Sequence, residues 1–327
     1  MRNYLINSWQ PLCGNGRIRT DAMGNLEYSV IRDSKYPTLA LVAHADTICI
    51  QITQCSDDGK FRFRSVGASP HMLLGQRVII LNENGDRFRG VIGFDPTSQY
   101  GQPKGLVFED LWIDVLDTFH VGDISIGDLA VIKPDIEICG DFASGTAIDD
   151  RIGLFVISEV LKRFSSEGTD WPVNLVCVAT VQEEIGLRGS AMLDFSLSVD
   201  GIIVLDVDYA TDTPTPHEDQ MGRLYLNEGP GILRKADNSA KLRKYIKGVA
   251  NENGLPLQVS LGRFLYGGTD AAPLQIARKE MGNNVCNMTI PCRYMHSPVE
   301  TVSLNDVAVE IEIILATLKK LSSERIL

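Results

Sequence analysis

Three short apolar runs in this chain each end on a side chain that does not belong in a hydrophobic core. Thr38-Leu39-Ala40-Leu41-Val42-Ala43 leads into His44-Ala45-Asp46. Val173 to Val181 leads into Gln182-Glu183-Glu184, and Gly201-Ile202-Ile203-Val204-Leu205 leads into Asp206-Val207-Asp208. Runs this short, rich in β-branched residues and bounded by turns, read as strands buried on both faces, as in a parallel sheet covered by helices. A carboxylate at the end of such a strand is costly unless it is paired or holds a cation. In open α/β sheets ligands bind at that edge. The runs therefore predict an α/β fold whose strand ends converge on a polar site.

The rest of the chain fits around those strands. Leu26 to Ile31 is a further short strand after a turn at Met23-Gly24-Asn25, and residues before it are weakly patterned. Between about Ile50 and Ile132, short segments such as Phe61–Arg64, Arg77–Ile80, Gly90–Gly93 and Leu106–Phe108 alternate with Gly, Asn, Asp and Pro turns, with no helical pattern. That spacing predicts a small inserted β-barrel or sandwich, with Gly127–Pro134 leading back out. Helical spacing then appears at Ile152, Val156, Ile157, Val160, Leu161 and Phe164, next from Asp237 to Asn253 with Gly254 as its stop, and last from Leu304. The last helix has a capping-box-like start at Ser303 and Asp306.

Chemistry concentrates at a few places. His44 and Asp46 share one face of an extended chain, so the carboxylate can fix the imidazole tautomer of a metal-ligating His44. Asp149-Asp150 at a helix start has two explanations, N-terminal capping or a bridging metal ligand. Glu183 and Glu184 on a strand would point to opposite faces, one towards a metal and one elsewhere. Asp206 follows another strand, and His296 sits in a loop before the final helix. His71 and His120 read as surface or structural residues, and His217 as a solvated residue of a Pro-rich loop. Gly267-Gly268-Thr269-Asp270 is a turn able to line a pocket. The set holds nitrogen and oxygen donors without thiolate, suited to zinc, cobalt or manganese in a dinuclear site.

Composition excludes other classes. A net charge of -11 argues against nucleic acid as a partner. No apolar run has the length of a membrane span, and no signal peptide is apparent. Seven cysteines without a Cys-x-x-Cys pair argue against disulfides and for a reducing, cytoplasmic setting.

The ordered motifs His44-Ala-Asp46, Ile148-Asp149-Asp150-Arg151, Gln182-Glu183-Glu184-Ile-Gly-Leu-Arg-Gly, Leu205-Asp206-Val207 and His296-Ser-Pro-Val-Glu300, with Leu74-Gly-Gln-Arg-Val78 and Gly267-Gly-Thr-Asp270, resemble the TET-type dinuclear metallo-aminopeptidases. These form peptidase family M-forty-two, which includes glutamyl aminopeptidases and proteins labelled endoglucanases. The resemblance implies a doubly wound, zinc-peptidase-like α/β aminopeptidase domain (residues 1–50 and 133–327) interrupted by a small β-barrel-like domain for oligomerisation (51–132). It implies two divalent ions, with Asp149 bridging, His44 and Asp206 completing one site, and Glu184 and His296 the other. Glu183 would be the general base and Asp46 the carboxylate supporting His44; the substrate would be a peptide with a free N-terminus. A homo-oligomer, up to a hollow dodecamer, would follow. Two departures concern assembly: the helix that precedes the first strand is expected to be shortened or absent, and the Leu111–His120 stretch to be abbreviated. The rival readings are a related metal-dependent deacylase or glycosidase-labelled hydrolase, and a catalytically dead assembly protein.

Overall fold

The computed structural model describes residues 1–12, 16–95, 105–166, 171–214, 218–263, 265–277 and 283–321. Its larger part is a mixed α/β layer around an eleven-stranded sheet. Asn174–Thr180, Thr38–His44, Gly201–Tyr209 and Val285–Arg293 lie side by side and parallel at its centre. Antiparallel strands extend it at both flanks: Leu26–Val30 with Arg17–Thr20 on one, and Glu300–Ser303, Phe142–Gly145 and Ile136–Cys139 on the other.

Both faces of the central strands are covered, as their continuous apolar runs require. Leu39, Leu41 and Ala43 point into one core with the helices Ile148–Ser166, Ala240–Glu252 and Leu304–Lys320. The alternate residues Ala40 and Val42 join Leu193, Val199 and Leu274 in a second core on the opposite face. This period-2 division of one strand between two cores is what makes the sheet doubly covered.

The smaller part is a closed six-stranded barrel, inserted after His44 and before the helix that begins at Ile148. Its strands close in the order Cys49–Gln54, Lys60–Val66, Leu111–Val115, Arg87–Phe94, Arg77–Leu81 and Leu129–Ile132. Alternation fills its interior with Ile50, Ile52, Phe61, Phe63, Val78, Ile80, Phe88, Ile92 and Ile113. Gly90 is needed inside: a Cβ there would come within 2.7 Å of Ile113.

Of the two forms expected for the helix before the first strands, shortened or absent, a helix is present: the eight-residue Arg2–Trp9. It buries Leu5 and Trp9, one turn apart, and Trp9 Nε1 donates to Ser158 Oγ (2.9 Å). Several other local expectations are corrected. Leu106–Phe108 is not a strand, because Phe108–Asp110 forms a short 3-10 turn. Leu111–Val115 is instead a full barrel strand whose Leu111, Ile113 and Val115 point inward. The helix expected from Asp237 starts at Ala240 behind the cap Ser239, since the Asp237 carboxylate is engaged by Gly267 N–H. Ser303 caps the last helix, but Asp306 does not complete a capping box: its carboxylate accepts from Asn227 and Gly229 N–H. Six cysteines (49, 55, 139, 177, 286 and 292) are free thiols. Cys13 and His217 lie outside the described residues.

Candidate metal centre and active site

Register brings the site together. Thr180 pairs with His44 across the parallel ladder, so the two strands end level. On the other side Val204 pairs with Val42, which carries Asp206 beside His44. His44 Nε2 lies 2.9 Å from Asp149 Oδ1 and 4.0 Å from Asp206 Oδ1. His296 Nε2 lies 3.3 Å from Asp149 Oδ2 and 3.4 Å from Glu184 Oε2. Two donor groups follow, His44–Asp149–Asp206 and Asp149–Glu184–His296, with Asp149 common to both.

The adjacent aspartates divide the two roles open to them in the sequence. Asp150 does the structural work: Oδ1 accepts from Gly153 N–H (3.0 Å) and Oδ2 from His44 N–H (3.1 Å). Gly153 leaves room for it, since a Cβ would come within 2.5 Å of Asp150 Oδ1. Asp149 is thereby free to face the site.

Glu183 and Glu184 do not sit on a strand. The strand stops at Thr180, Gln182 adopts φ +60°, and the pair lies in the turn that follows. Strand alternation therefore does not apply, and both side chains line the same cavity. Asp46 anchors that turn through Oδ1 to Glu183 N–H (3.1 Å) and Oδ2 to Glu184 N–H (3.2 Å), with Oδ1 3.7 Å from His44 Nδ1. Its direct hydrogen bonds hold the glutamate turn, and its ring contact is longer.

The electrostatics are those of crowded, buried acids. Burial is the largest influence on His44 and pulls its pKa down, yet the Asp149 hydrogen bond and the charges of Asp149, Asp150 and Asp206 raise it well above its ordinary value. Burial opposes ionisation of Asp149, but hydrogen bonds from His296 and His44 carry it below the usual carboxylate range. Asp206 is pushed well up by burial and then by the charges of Asp150 and Asp149. Burial takes Glu184 to about 7 and Glu183 to about 8. His296, hydrogen-bonded to Asp149, rises to about 9. Glu184 Oε1 is buried without a hydrogen-bond partner. An orphaned carboxylate oxygen, carboxyls resisting ionisation and converging N and O donors are what a cation site provides, so the residues fit divalent metal.

The cavity, of about 130 Å³, reaches beyond the donor groups to Tyr209, Lys235, Arg263, Gly267, Gly268 and Thr269. Asp270 does not line it. Its oxygens accept from Thr180 Oγ1 and Ser190 Oγ, one before and one after the glutamate turn, so it braces that turn instead. Neither His71 nor His120 lines this cavity: both are exposed, the first in the helix Pro70–Leu73 and the second 2.9 Å from Asp123. Lys235 gave no signal in the sequence, because a lone lysine in a loop looks like surface. Glu300 was visible only as the last residue of a motif.

A family model described as M42 glutamyl aminopeptidase matches residues 24–313. The lysyl aminopeptidase of Pyrococcus furiosus is 29% identical, covering 93% of this chain and 87% of that protein. Among solved structures, an aminopeptidase from the archaeon Desulfurococcus kamchatkensis superposes with a TM-score of 0.87 at 27% identity, covering 98% of this chain and 89% of that one. The TET1 peptidase of Pyrococcus horikoshii, which can assemble into a tetrahedron or a large octahedral shell, gives 0.81 at 28% identity over 98% and 93% of the two chains.

Proposed function

We propose, on the premise that this chain belongs to the M42 glutamyl aminopeptidase family, that its metal centre holds two divalent ions (zinc, cobalt or manganese) and that Glu183 is the general base. The protein is an aminopeptidase, a peptide hydrolase of the metallopeptidase type. The observation that carries the two-ion reading is Asp149, whose two oxygens face different histidines, 2.9 Å from His44 and 3.3 Å from His296. His44 and Asp206 would complete one ion's ligands, and Glu184 and His296 the other's.

Bound there, divalent cations lower the pKa of a water and polarise the scissile carbonyl. Glu183 lines the cavity but belongs to neither donor group, which leaves its carboxylate to take the attacking water's proton and return it to the leaving amine. General-base help of this kind is worth roughly 10²–10⁴-fold. Asp46 and Asp270 hold the turn that presents Glu183. Gly267, Gly268 and Thr269 line the same cavity and would contact the substrate's first residue.

The first residue's side chain is proposed to be acidic. Lys235 and Arg263 both line the cavity. Lys235 Nζ donates to Gly267 O (2.6 Å), and the Arg263 guanidinium lies 5.9 Å from the Tyr209 ring centroid. Two cations beside a site whose acids are committed to metal favour a carboxylate over an ammonium.

The barrel, residues 51–132, is proposed as the assembly domain of a homo-oligomer up to a dodecamer, with 1–50 and 133–327 forming the catalytic domain. Exposed Leu116, Phe119 and Ile126 on the barrel support a contact surface there. Among the described residues no helix is long and apolar enough to cross a membrane, and a cytoplasmic location is proposed from the free thiols.

The rival hydrolases and the dead assembly protein are not favoured. A glycosidase needs two metal-free carboxylates flanking a sugar groove, whereas these lie among histidines, and every ligand and base position is filled. The deciding experiment measures metal content and turnover of Glu-, Leu- and Lys-p-nitroanilides with added Zn, Co or Mn. Turnover without metal, or none with any metal, would overturn the two-ion hydrolase, and a Lys-first preference would overturn the acidic subsite.

A further inference from the structure

Glu300 belongs to neither donor group and does not line the active-site cavity, yet its carboxylate is fully committed around the metal centre. It is 2% exposed, on the flanking strand Glu300–Ser303. Oε2 accepts from Ile148 N–H (2.7 Å) and Asp149 N–H (3.2 Å), and Oε1 accepts from His296 N–H (2.9 Å). One side chain thus ties together two backbone segments about 150 positions apart, each carrying a ligand of the Asp149–Glu184–His296 group.

Those segments need holding. Ala147 (φ +57°), Tyr294 (φ +61°) and His296 (φ +63°) are non-glycine residues in the left-handed region. Such conformations are sparsely populated and persist where surrounding contacts over-determine them. A carboxyl group shared by three N–H groups is such a contact.

We propose that Glu300 is a positioning residue that sets the separation and aim of Asp149 and His296, and so tunes metal affinity at the Glu184–His296 side of the centre. This rests on the two-ion reading above. The His44–Asp206 side has no hydrogen bond to Glu300. Asp150 holds His44 N–H there, so Glu300 reaches that side only through the shared Asp149, whereas on the Glu184–His296 side it holds both Asp149 and His296, and the effect is larger there. Removing an outer partner of metal ligands typically costs 10–100-fold in affinity.

The test is cobalt(II) titration of metal-free protein by calorimetry and visible absorption, with a thermal unfolding scan of the same samples without metal. Wild type should bind in two steps. Glu300→Gln keeps the shape but turns an amide nitrogen towards one of the two segments. It should weaken one step roughly 10–100-fold, weaken the other by a clearly smaller factor through the shared Asp149, and unfold within a few degrees of wild type when metal-free. If that variant does not fold, Glu300→Asp, which keeps the charge but is too short to reach both segments, is read in the same way. Two wild-type-like steps in the variant would overturn the proposal alone. So would equal weakening of both steps with a large drop in metal-free unfolding temperature, which marks a purely structural role. A wild type that takes up no cobalt would overturn the two-ion reading, and this proposal with it.

Discussion

Glu310 offers a stability experiment that is separate from the metal chemistry. It sits on the buried face of the helix Leu304–Lys320, fully inaccessible, with neither carboxylate oxygen hydrogen-bonded. Burial, helped by the charge of Asp306 one turn earlier, raises its pKa from 4.5 to about 8. The folded protein therefore keeps this proton over a range where the unfolded chain has lost it. The group's favourable contribution is complete below pH 4.5 and is lost as pH rises towards 8. Each pH unit of that window is worth about 1.4 kcal/mol, so by pH 7 the loss is about 3 kcal/mol, and by pH 8, where the folded group is half ionised, about 4 kcal/mol. Glu310→Gln removes the titration and keeps the volume. Urea unfolding of metal-free wild type and variant at pH 5, 6, 7 and 8 should give a stability difference that grows by about 1.4 kcal/mol per pH unit between pH 5 and 7. A difference constant across the series would mean that Glu310 ionises alike in both states, and would refute the reasoning.

Glu183→Gln should lower kcat by roughly 10²–10⁴-fold with metal content unchanged by elemental analysis; near-normal turnover would remove Glu183 from the base role. Asp149→Asn should lose both ions, whereas Asp206→Asn should lose one, as read by equilibrium dialysis against zinc. Gly153→Ala forces a methyl to 2.5 Å from Asp150 Oδ1, and should cost about 1–3 kcal/mol in urea unfolding. Substituting Lys235 and Arg263 together by Ala should shift kcat/KM from Glu- towards Leu-p-nitroanilide, measured as the ratio of the two.

The strand ends were legible in the sequence because burial leaves a strong mark: a run such as Leu39–Ala43 has few other uses, and its terminal imidazole stands out. The turn after Thr180 was not, because the φ of Gln182 leaves no compositional trace, so the glutamates were placed on opposite strand faces when they share a cavity. Whether the N-terminal helix is short or missing is hard to read for a related reason: in Arg2–Trp9 only Leu5 and Trp9 are buried, too few for a visible period. Leu111–Val115 alternates correctly, but five residues between turns give little to count. Asp270 shows a deeper limit. A buried carboxylate looks the same in sequence whether it touches substrate or braces a turn, and only its partners Thr180 and Ser190 decide.

The barrel lies between His44 and Asp149 in the chain, and His296 comes 252 positions after His44. The metal centre is therefore non-local in the sense that governs folding rates: no hairpin or single helix can preassemble it. Closing a loop of that length costs about 5 kcal/mol in chain entropy before any ligand pair can meet. On the proposed two-ion reading, cations that share Asp149 as a ligand would be captured only late, once the sheet is in register, and would act as a clasp on the finished chain rather than as a nucleus. Metal uptake during refolding would thus report completion of the catalytic domain, lagging behind the local order of the barrel.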